Sequence, residues 1–238
     1  MIFPWGTELE MAIMNRKYDW VFFDLDGTLA DSIPALYEIY KAFLAGFGLA
    51  GSRAEFEELN GSSLPEIIAA LKSHHNLKSD VSTLMTAYSE IITRSYHIYV
   101  KPVAGAEGVL QALNCSGYKL MLVTSSNVEI ASSFIRGQEW DKYFDDYVFG
   151  NEITKAKPDP EIYRLAIKKA GIRPDAVVVV EDSCNGAASA RYAGIEVVGF
   201  AANHTEIALA EAGAGTVISR LNEILNILEV ASVREHVI

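Results

Sequence analysis

A short apolar run that ends in two aspartates decides the fold of this chain. Residues 20–29 read Trp20-Val21-Phe22-Phe23-Asp24-Leu25-Asp26-Gly27-Thr28-Leu29. The β-branched and aromatic run predicts a strand buried on both faces, and Gly27 marks where the backbone bends. Carboxylates at the carboxyl end of such a strand lie where open α/β sheets bind ligands. Because two ionised carboxylates repel each other at this position, we expect a hard cation such as Mg²⁺ to share the site. The alternative is that the segment is an ordinary Asp-Gly turn.

A second apolar strand ends in hydroxyl side chains. Residues 119–127 read Lys119-Leu120-Met121-Leu122-Val123-Thr124-Ser125-Ser126-Asn127. Hydroxyls and free backbone N–H groups at a strand-to-helix junction can bind a phosphate, which makes Thr124 and Ser125 candidates. The same residue types also begin ordinary helices, and the segment taken alone favours that simpler interpretation.

A lysine fixed between prolines forms the third signal. Residues 155–161 read Lys155-Ala156-Lys157-Pro158-Asp159-Pro160-Glu161. Pro158 favours an extended backbone at Lys157, and Pro160 suits the first turn of the helix that follows. Lys157 could therefore neutralise a phosphate and a carboxylate together, whereas a solvated loop lysine is the alternative.

A third buried strand ends in another acidic pair. Residues 176–183 read Ala176-Val177-Val178-Val179-Val180-Glu181-Asp182-Ser183. The valine run is typical of a central parallel strand. At least one carboxylate of Glu181 and Asp182 must face inward near the edge of the sheet.

Taken in this order, the four segments resemble the haloacid dehalogenase (HAD) superfamily, in its helical-cap phosphatase and β-phosphoglucomutase-like branch. The resemblance implies that Asp24 is the nucleophile that forms an aspartyl-phosphate and that Asp26 is the general acid/base. It also implies that Thr124 and Ser125 bind the phosphoryl oxygens, while Lys157 steadies both the nucleophile and the phosphate.

The resemblance further implies a Mg²⁺ site. Its ligands would be the carboxylates of Asp24 and Asp182, with help from Glu181, and a backbone carbonyl of Asp26. One or two protein carboxylates suffice for this ion, which keeps several of its waters.

The order of the elements predicts an α/β fold with a Rossmann-like, HAD-like parallel sheet core and an inserted all-helical cap. Strands are expected at residues 20–26, 119–125, 146–149, 176–181 and 195–200. Helical periodicity covers Pro34–Phe47, Arg53–Leu59, Leu64–His74 and Val81–Tyr99, and no strand-like run is expected among them. The core would then comprise residues 1–32 and 104–238, and the cap residues 33–103.

One loop of the cap is a candidate for substrate specificity. Asn60, Gly61, Ser62 and Ser63 lie between two predicted cap helices, where the resembled family places its specificity loop. A plain helix-helix turn, with Ser62 or Ser63 beginning the next helix, is an equal alternative. We also expect an apolar-periodic C-terminal helix over Leu221–Val230.

Composition limits the partners. The net charge of −11 over 238 residues argues against nucleic acid and anionic membranes, and no apolar stretch would span a bilayer. We expect the protein to be cytoplasmic for two reasons. Its two cysteines are far apart in the sequence, and its first ten residues lack the pattern of a secretory signal. The partner is expected to be a small phosphorylated metabolite, and the chain a monomer or weak homo-oligomer. The adjacent His74 and His75 are expected to point in different directions as solvated or core side chains.

Three functions fit these observations. The first is a Mg²⁺-dependent phosphatase acting on a small phosphomonoester, such as a sugar phosphate or a phosphoglycolate-like compound. The second is a sugar phosphomutase of the β-phosphoglucomutase type, disfavoured because Ala35-Leu36-Tyr37 stands where such mutases carry a histidine. The third is a non-enzymatic receiver-like phosphoryl-binding module, disfavoured because receivers are about half this length and place the acceptor mid-domain.

Overall fold

The computed structural model describes residues 16–59 and 62–230, without the side chains of residues 97 and 98. Its strands are β1 (Trp20–Phe23), β2 (Ala30–Asp31), β3 (Lys101–Pro102), β4 (Lys119–Val123), β5 (Asp146–Val148), β6 (Val177–Glu181), β7 (Glu196–Phe200) and β8 (Thr216–Ile218). Six of them form one parallel sheet in the order β5-β4-β1-β6-β7-β8. The first strand therefore lies between β4 and β6, so the three predicted strand ends are neighbours.

Burial explains why the central strands read as continuous apolar runs. Every residue of β1 and β6 is buried, and so is all of β4 except its first residue. Alternate side chains enter two separate cores: Val21 and Phe23 pack on one face, whereas Trp20 and Phe22 pack on the other. A parallel sheet covered on both faces requires this pattern.

The helices are numbered in chain order. They are α1 (Ile33–Ala45), α2 (Arg53–Leu59), α3 (Leu64–His74), α4 (Val81–Tyr99), α5 (Ala106–Cys115), α6 (Val128–Gly137), α7 (Glu161–Ala170), α8 (Cys184–Tyr192), α9 (Glu206–Ala212) and α10 (Ile224–Ile227). The first four are consecutive and interrupt the sheet between β1 and β4. The predicted fold class, a Rossmann-like parallel sheet with an inserted helical cap, is confirmed, while the limits of the two domains stay a prediction.

The two connections between the sheet and the inserted helices pair with each other. Ala30 and Asp31 form an antiparallel ladder with Pro102 and Lys101. The expectation that the inserted segment contains no strand is therefore wrong at its end. A two-residue strand that includes proline has no alternating pattern for the sequence to reveal.

Other differences lie at the ends of elements. Strand β1 ends at Phe23 rather than at residue 26, because the chain turns through Gly27, whose φ is +87°. Strand β8 (Thr216–Ile218) was not expected from the sequence. The predicted C-terminal helix over Leu221–Val230 is a 3₁₀ turn followed by the single turn α10, and Glu229 beyond it has a φ of +52°.

Some expectations fall outside the described residues. They are the interpretation of residues 1–10 as lacking a secretory signal, and the roles of Asn60 and Gly61 in the cap loop. Within the described ranges, none of the helices has the length and apolar character needed to cross a bilayer.

Candidate active site

Three buried polar residues follow the three central strands directly. Asp24 follows β1, Thr124 follows β4, and Asp182 follows β6, and each is at most 6% exposed. The sheet fixes two of them through their own backbones: Asp24 donates its N–H to Val180 (3.1 Å) and Thr124 donates its N–H to Val148 (3.0 Å). The predicted convergence at the carboxyl edge of the sheet is therefore present.

Lys157 reaches this edge from the loop before α7. Its Nζ lies 2.6 Å from Asp24 Oδ1 and 2.5 Å from Glu181 Oε1, and its side chain is 1% exposed. The solvated loop lysine considered above is thus not what the structure contains. An ammonium buried so deeply is stable only because two carboxylates contact it.

Glu181 faces Lys157 and its own neighbours. Tyr163 donates its hydroxyl to Oε1 (3.0 Å), while Ser183 donates its N–H (3.2 Å) and its hydroxyl (3.0 Å) to Oε2. A Cβ at Gly186 would lie 1.9 Å from Oε1, so this glycine makes room for the carboxylate. Both oxygens of Glu181 therefore already accept hydrogen bonds from the chain.

Asp24, Glu181 and Asp182 together offer a cation site. One oxygen from each lies within 4.8 Å of the others, and all three residues are buried. Burial, and then the neighbouring Glu181, raises the pKa of Asp24 well above its usual range, although Lys157 opposes the shift. Burial and Glu181 likewise raise the pKa of Asp182 to about 8.

The charge balance of this cluster fits a divalent metal. Three carboxylates face one ammonium, so their ionised forms leave an excess of negative charge inside the protein. Hard oxygen donors of this kind suit Mg²⁺, Ca²⁺ or Mn²⁺ better than soft metals. The residues therefore fit a divalent metal of the kind the sequence implies.

Gly27 allows the turn after β1 to pass close to the carboxylate cluster of Asp24, Glu181 and Asp182. Its φ of +87° is the left-handed conformation that glycine adopts without strain. A Cβ at this position would lie 2.0 Å from Asp182 Oδ2. Two further groups reach the same carboxylate, Thr28 Oγ1 at 3.4 Å and Asn203 Nδ2 at 3.3 Å.

Asp26 is held by two hydroxyls that sequence reasoning did not assign to the site. Tyr96 of α4 donates its hydroxyl to Oδ1 (2.8 Å), and Ser126 donates its hydroxyl to Oδ2 (2.6 Å). Ser126 lies in the quoted hydroxyl run and could have been found there. Tyr96 lies 70 residues from Asp26 in the sequence. The only signal that could have suggested it is general: the hydroxyl of a buried tyrosine usually needs a hydrogen-bond partner.

The hydroxyl run after β4 contains a helix cap and side chains that line the cavity, while phosphate binding by Thr124 and Ser125 stays a prediction. Asn127 begins α6, since its side chain accepts the N–H of Ile130 (3.0 Å). Thr124 is not the helix cap; its Oγ1 accepts the N–H of Ser126 (3.0 Å). Thr124 and Ser125 both line the cavity that contains Asp24 and Lys157.

That cavity has a volume of about 500 Å³ and lies between the sheet edge and the cap helices. Ser62 and Ser63 of the predicted specificity loop line it. Ser63 also begins α3, where its N–H (3.0 Å) and hydroxyl (2.9 Å) both donate to Glu66. Ser63 therefore begins α3 and lines the cavity, while its role in substrate specificity stays a prediction.

The two adjacent histidines converge, contrary to expectation. His74 Nδ1 lies 2.9 Å from Glu55 Oε1, and His75 Nε2 lies 2.9 Å from Glu55 Oε2. Glu55 also accepts the hydroxyl of Tyr40, which ties α1, α2 and the end of α3 together. The side chains of His74 and His75 can both contact Glu55 because α3 ends at His74.

The sequence of the chain is similar to that of a known family of hydrolases. Residues 21–200 match the haloacid dehalogenase-like hydrolase family. The chain is also 32% identical over 212 residues to the phosphorylated carbohydrates phosphatase of Thermotoga maritima, covering 88% of this chain and 97% of that protein.

The chain belongs to the haloacid dehalogenase-like hydrolase family. It is a hydrolase of the phosphatase and β-phosphoglucomutase-like branch. The 6-phosphogluconate phosphatase of Escherichia coli is 30% identical over 190 residues, which are 79% of this chain and 84% of that protein. The crystal structure of CbbY from Rhodobacter sphaeroides in complex with phosphate has a TM-score of 0.74 and 25% identity, covering 89% of this chain and 99% of that one.

Proposed function

We propose that this HAD-like hydrolase is a Mg²⁺-dependent phosphatase that hydrolyses a small phosphomonoester, a sugar phosphate or a phosphoglycolate-like compound, through an aspartyl-phosphate on Asp24. The observation that carries the proposal is the contact of 2.6 Å between Lys157 Nζ and Asp24 Oδ1, at the base of a cavity large enough for an organic ester. Because Lys157 donates a hydrogen bond to one carboxylate oxygen of Asp24, the other oxygen remains available to attack phosphorus.

In the first step, a carboxylate oxygen of Asp24 attacks phosphorus and the ester P–O bond breaks. Asp26 protonates the departing alcohol oxygen. Thr124, Ser125 and Lys157 bind the phosphoryl oxygens and stabilise the charge that spreads over them.

In the second step, Asp26 removes a proton from water, which attacks phosphorus and releases inorganic phosphate and free Asp24. Splitting the reaction in this way replaces one difficult displacement with two easier ones. Tyr96 and Ser126 fix the carboxylate of Asp26 through one hydrogen bond to each oxygen, and Asp26 lines the cavity with Asp24.

Mg²⁺, when bound, would supply positive charge next to the phosphoryl group. Asp24 and Asp182 would hold it through their carboxylates, and Asp26 through its backbone carbonyl. Glu181 would contribute mainly by positioning Lys157, since both of its oxygens accept hydrogen bonds from the protein.

We also propose that the chain divides into a core of residues 1–32 and 104–238 and a cap of residues 33–103. We further propose that the protein is cytoplasmic and is a monomer or a weak homo-oligomer. The pairing of β2 with β3 where the chain enters and leaves the four inserted helices supports that division. Two free thiols, Cys115 and Cys184, support a reducing compartment.

The direct experiment measures phosphate release from a panel of phosphomonoesters, with Mg²⁺ and with excess chelator. We expect phosphate release to require Mg²⁺ and to disappear in the Asp24→Asn variant. The mutase alternative predicts instead that a hexose 1-phosphate with a bisphosphate primer gives the 6-phosphate isomer faster than free phosphate. A receiver-like module would show no turnover with any ester.

A further inference from the structure

Five polar residues form the mouth of the catalytic cavity. Asn127, Asn151 and Thr154 line it on the sheet side, and Ser63 and Glu66 line it on the cap side. Asn151, Thr154 and Glu66 are exposed, while Asn127 and Ser63 are half-buried, so solvent and ligands reach this end of the cavity first. We call these five residues the cavity mouth.

The apolar lining residues of the cap are packed more deeply. Phe56, Leu59 and Tyr88 line the cavity, but each is at most 9% exposed and belongs to the hydrophobic core. An ester whose phosphate lies beside Lys157 would therefore meet the polar cavity mouth with its alcohol part.

The two asparagines of the cavity mouth present hydrogen-bond donors. Asn127 Oδ1 accepts the N–H of Ile130 (3.0 Å), and Asn151 Oδ1 accepts the N–H of Val128 (3.2 Å). Because a backbone N–H can only donate, these contacts identify the oxygen of each amide, and the NH₂ group is what each asparagine offers a ligand. The backbone of α6 thus fixes both donors.

Glu66 and Thr154 present acceptors. Ser63 donates both its N–H (3.0 Å) and its hydroxyl (2.9 Å) to Glu66 Oε2, so Oε1 can accept from a ligand. Thr154 donates its hydroxyl to Glu161 (3.0 Å), so the hydroxyl oxygen can accept as well. A sugar hydroxyl both donates and accepts and can use either kind of group, whereas an ionised carboxylate or phosphate can only accept.

The lysines and arginines of the cap helices and their loops are engaged outside the cavity. Three of them contact a glutamate of their own helix and two contact groups of the loop between α3 and α4; in that order they are Lys41, Arg53, Arg94, Lys72 and Lys78. None of these side chains lines the cavity. A second anion on the substrate would therefore find no partner among them.

The sheet side likewise offers no cation at the cavity mouth. Lys155 contacts Asp159 (3.7 Å) and Lys169 contacts Glu152 (2.7 Å), and neither lysine lines the cavity. Among the described lining residues, Lys157 is the basic side chain, and two carboxylates already contact it. Glu66 would repel a further negative charge.

We propose that the cavity mouth binds the hydroxyl groups of an uncharged sugar or polyol, with Asn127 and Asn151 as donors and Glu66 as an acceptor that also disfavours a second anion. The inference rests on the phosphatase activity proposed above. It narrows the substrate to sugar or polyol phosphates whose hydrolysed phosphate is their only anion, and it disfavours phosphoglycolate-like esters, which carry a carboxylate.

The test compares three six-carbon primary phosphates on the Mg²⁺-loaded enzyme. Sorbitol 6-phosphate is a neutral polyol ester, 6-phosphogluconate replaces its terminal CH₂OH with a carboxylate, and hexyl phosphate has no hydroxyl. We expect kcat/KM for sorbitol 6-phosphate to exceed that for hexyl phosphate by about tenfold and that for 6-phosphogluconate by about tenfold. Equal values, or a preference for either of the other two esters, would overturn the inference while leaving the phosphatase activity in place.

Removing the charge of Glu66 tests the exclusion of a second anion. Glu66→Gln keeps a side chain that can accept from Ser63 at the start of α3. Glu58→Gln makes the same change at an exposed cap residue that does not line the cavity. We expect only Glu66→Gln to reduce the preference for sorbitol 6-phosphate over 6-phosphogluconate, by about tenfold. The inference is wrong if both variants act alike.

Replacing an amide donor tests the recognition of hydroxyls. Asn151→Asp keeps an oxygen for the N–H of Val128 but exchanges the NH₂ group for an acceptor, and Asn222→Asp makes the same change at an exposed residue outside the cavity. The preference for sorbitol 6-phosphate over hexyl phosphate should fall about fivefold in Asn151→Asp and stay constant in Asn222→Asp. An unchanged preference in Asn151→Asp would contradict its role as a donor.

Binding separates this inference from the catalytic proposal. Calorimetric affinities of the three esters for the Asp24→Asn variant need no turnover. If the wild-type enzyme releases no phosphate from any ester but the variant binds sorbitol 6-phosphate most tightly, the proposed hydrolysis is refuted and the hydroxyl site is retained. Equal affinities, or no detectable binding of sorbitol 6-phosphate, would refute the hydroxyl site itself.

Discussion

Replacing Gly27 with alanine tests how closely the turn after β1 fits against the carboxylate of Asp182. The new Cβ would lie 2.0 Å from Asp182 Oδ2 and 2.6 Å from its Cγ. Asp182 is 1% exposed, so its carboxylate would have to move among packed neighbours. Gly48 provides a matched control, because its φ is +71° and a Cβ there would meet no atom within 4 Å.

The two substitutions share the cost of a left-handed alanine and differ in the collision. The backbone cost of about 1–2 kcal/mol is partly offset by about 0.4–1 kcal/mol from the less flexible unfolded chain. Gly48→Ala should therefore lose about 1 kcal/mol, which lowers Tm by about 2–4 °C in a chain of this size. Displacing the carboxylate from Thr28 and Asn203 adds about 3 kcal/mol for Gly27→Ala, so its Tm should fall by about 8–16 °C.

Activity should separate the variants further. Gly27→Ala should lower kcat by about 100-fold or more, because it moves a proposed metal ligand, while Gly48→Ala should keep the wild-type rate. Thermal melts and phosphate release, each with Mg²⁺ and with chelator, measure both effects. The reasoning is refuted if Gly27→Ala loses no more stability than Gly48→Ala and keeps its rate.

Three further predictions concern Lys157, Tyr96 and Asp182 of the same site. Lys157→Met should abolish phosphate release and lower the free energy of unfolding by about 3–5 kcal/mol, because Asp24 loses its buried cation; a urea melt identical to wild type would contradict this. Tyr96→Phe should lower kcat about tenfold with little change in KM, and more for alkyl than for aryl esters, since its contact is with Asp26; equal losses would reject the positioning role. Because the pKa of Asp182 is raised from 3.8 to about 8 in the folded protein, its proton contributes stability when the protein is free of metal. That contribution is complete below pH 3.8 and is lost as the pH rises through 8. Melting temperatures in chelator should therefore fall between pH 5 and pH 8, and less steeply in Asp182→Asn, whereas parallel curves for the two proteins would count against it.

The sequence was sufficient where local patterns and parallel topology agree. The valine run of β6 and the aromatic run of β1 predicted buried strands, and neighbouring parallel strands bring their carboxyl ends together. The cap helices α2, α3 and α4 begin and end at the predicted residues. Their apolar periodicity, punctuated by Gly, Ser and Asp, contains enough residues to fix the boundaries.

The rest depends on tertiary contacts that leave no local pattern. The hydroxyl of Tyr96 meets Asp26 only because α4 returns to the sheet beside the first turn. Likewise, His74 and His75 share Glu55 only through the packing of α2 against the end of α3. The two-residue pair of β2 with β3 is too short for periodicity to be visible.

Chemical trapping of the covalent intermediate tests the central claim most directly. Asp26→Asn should accumulate the aspartyl-phosphate with phenyl phosphate, because that leaving group needs little protonation while water still needs a base. Borohydride reduces an acyl phosphate to an alcohol, so mass spectrometry of the digested protein should find homoserine at position 24. Reduction at any other carboxylate, or none at position 24 during turnover, would contradict Asp24 as the nucleophile.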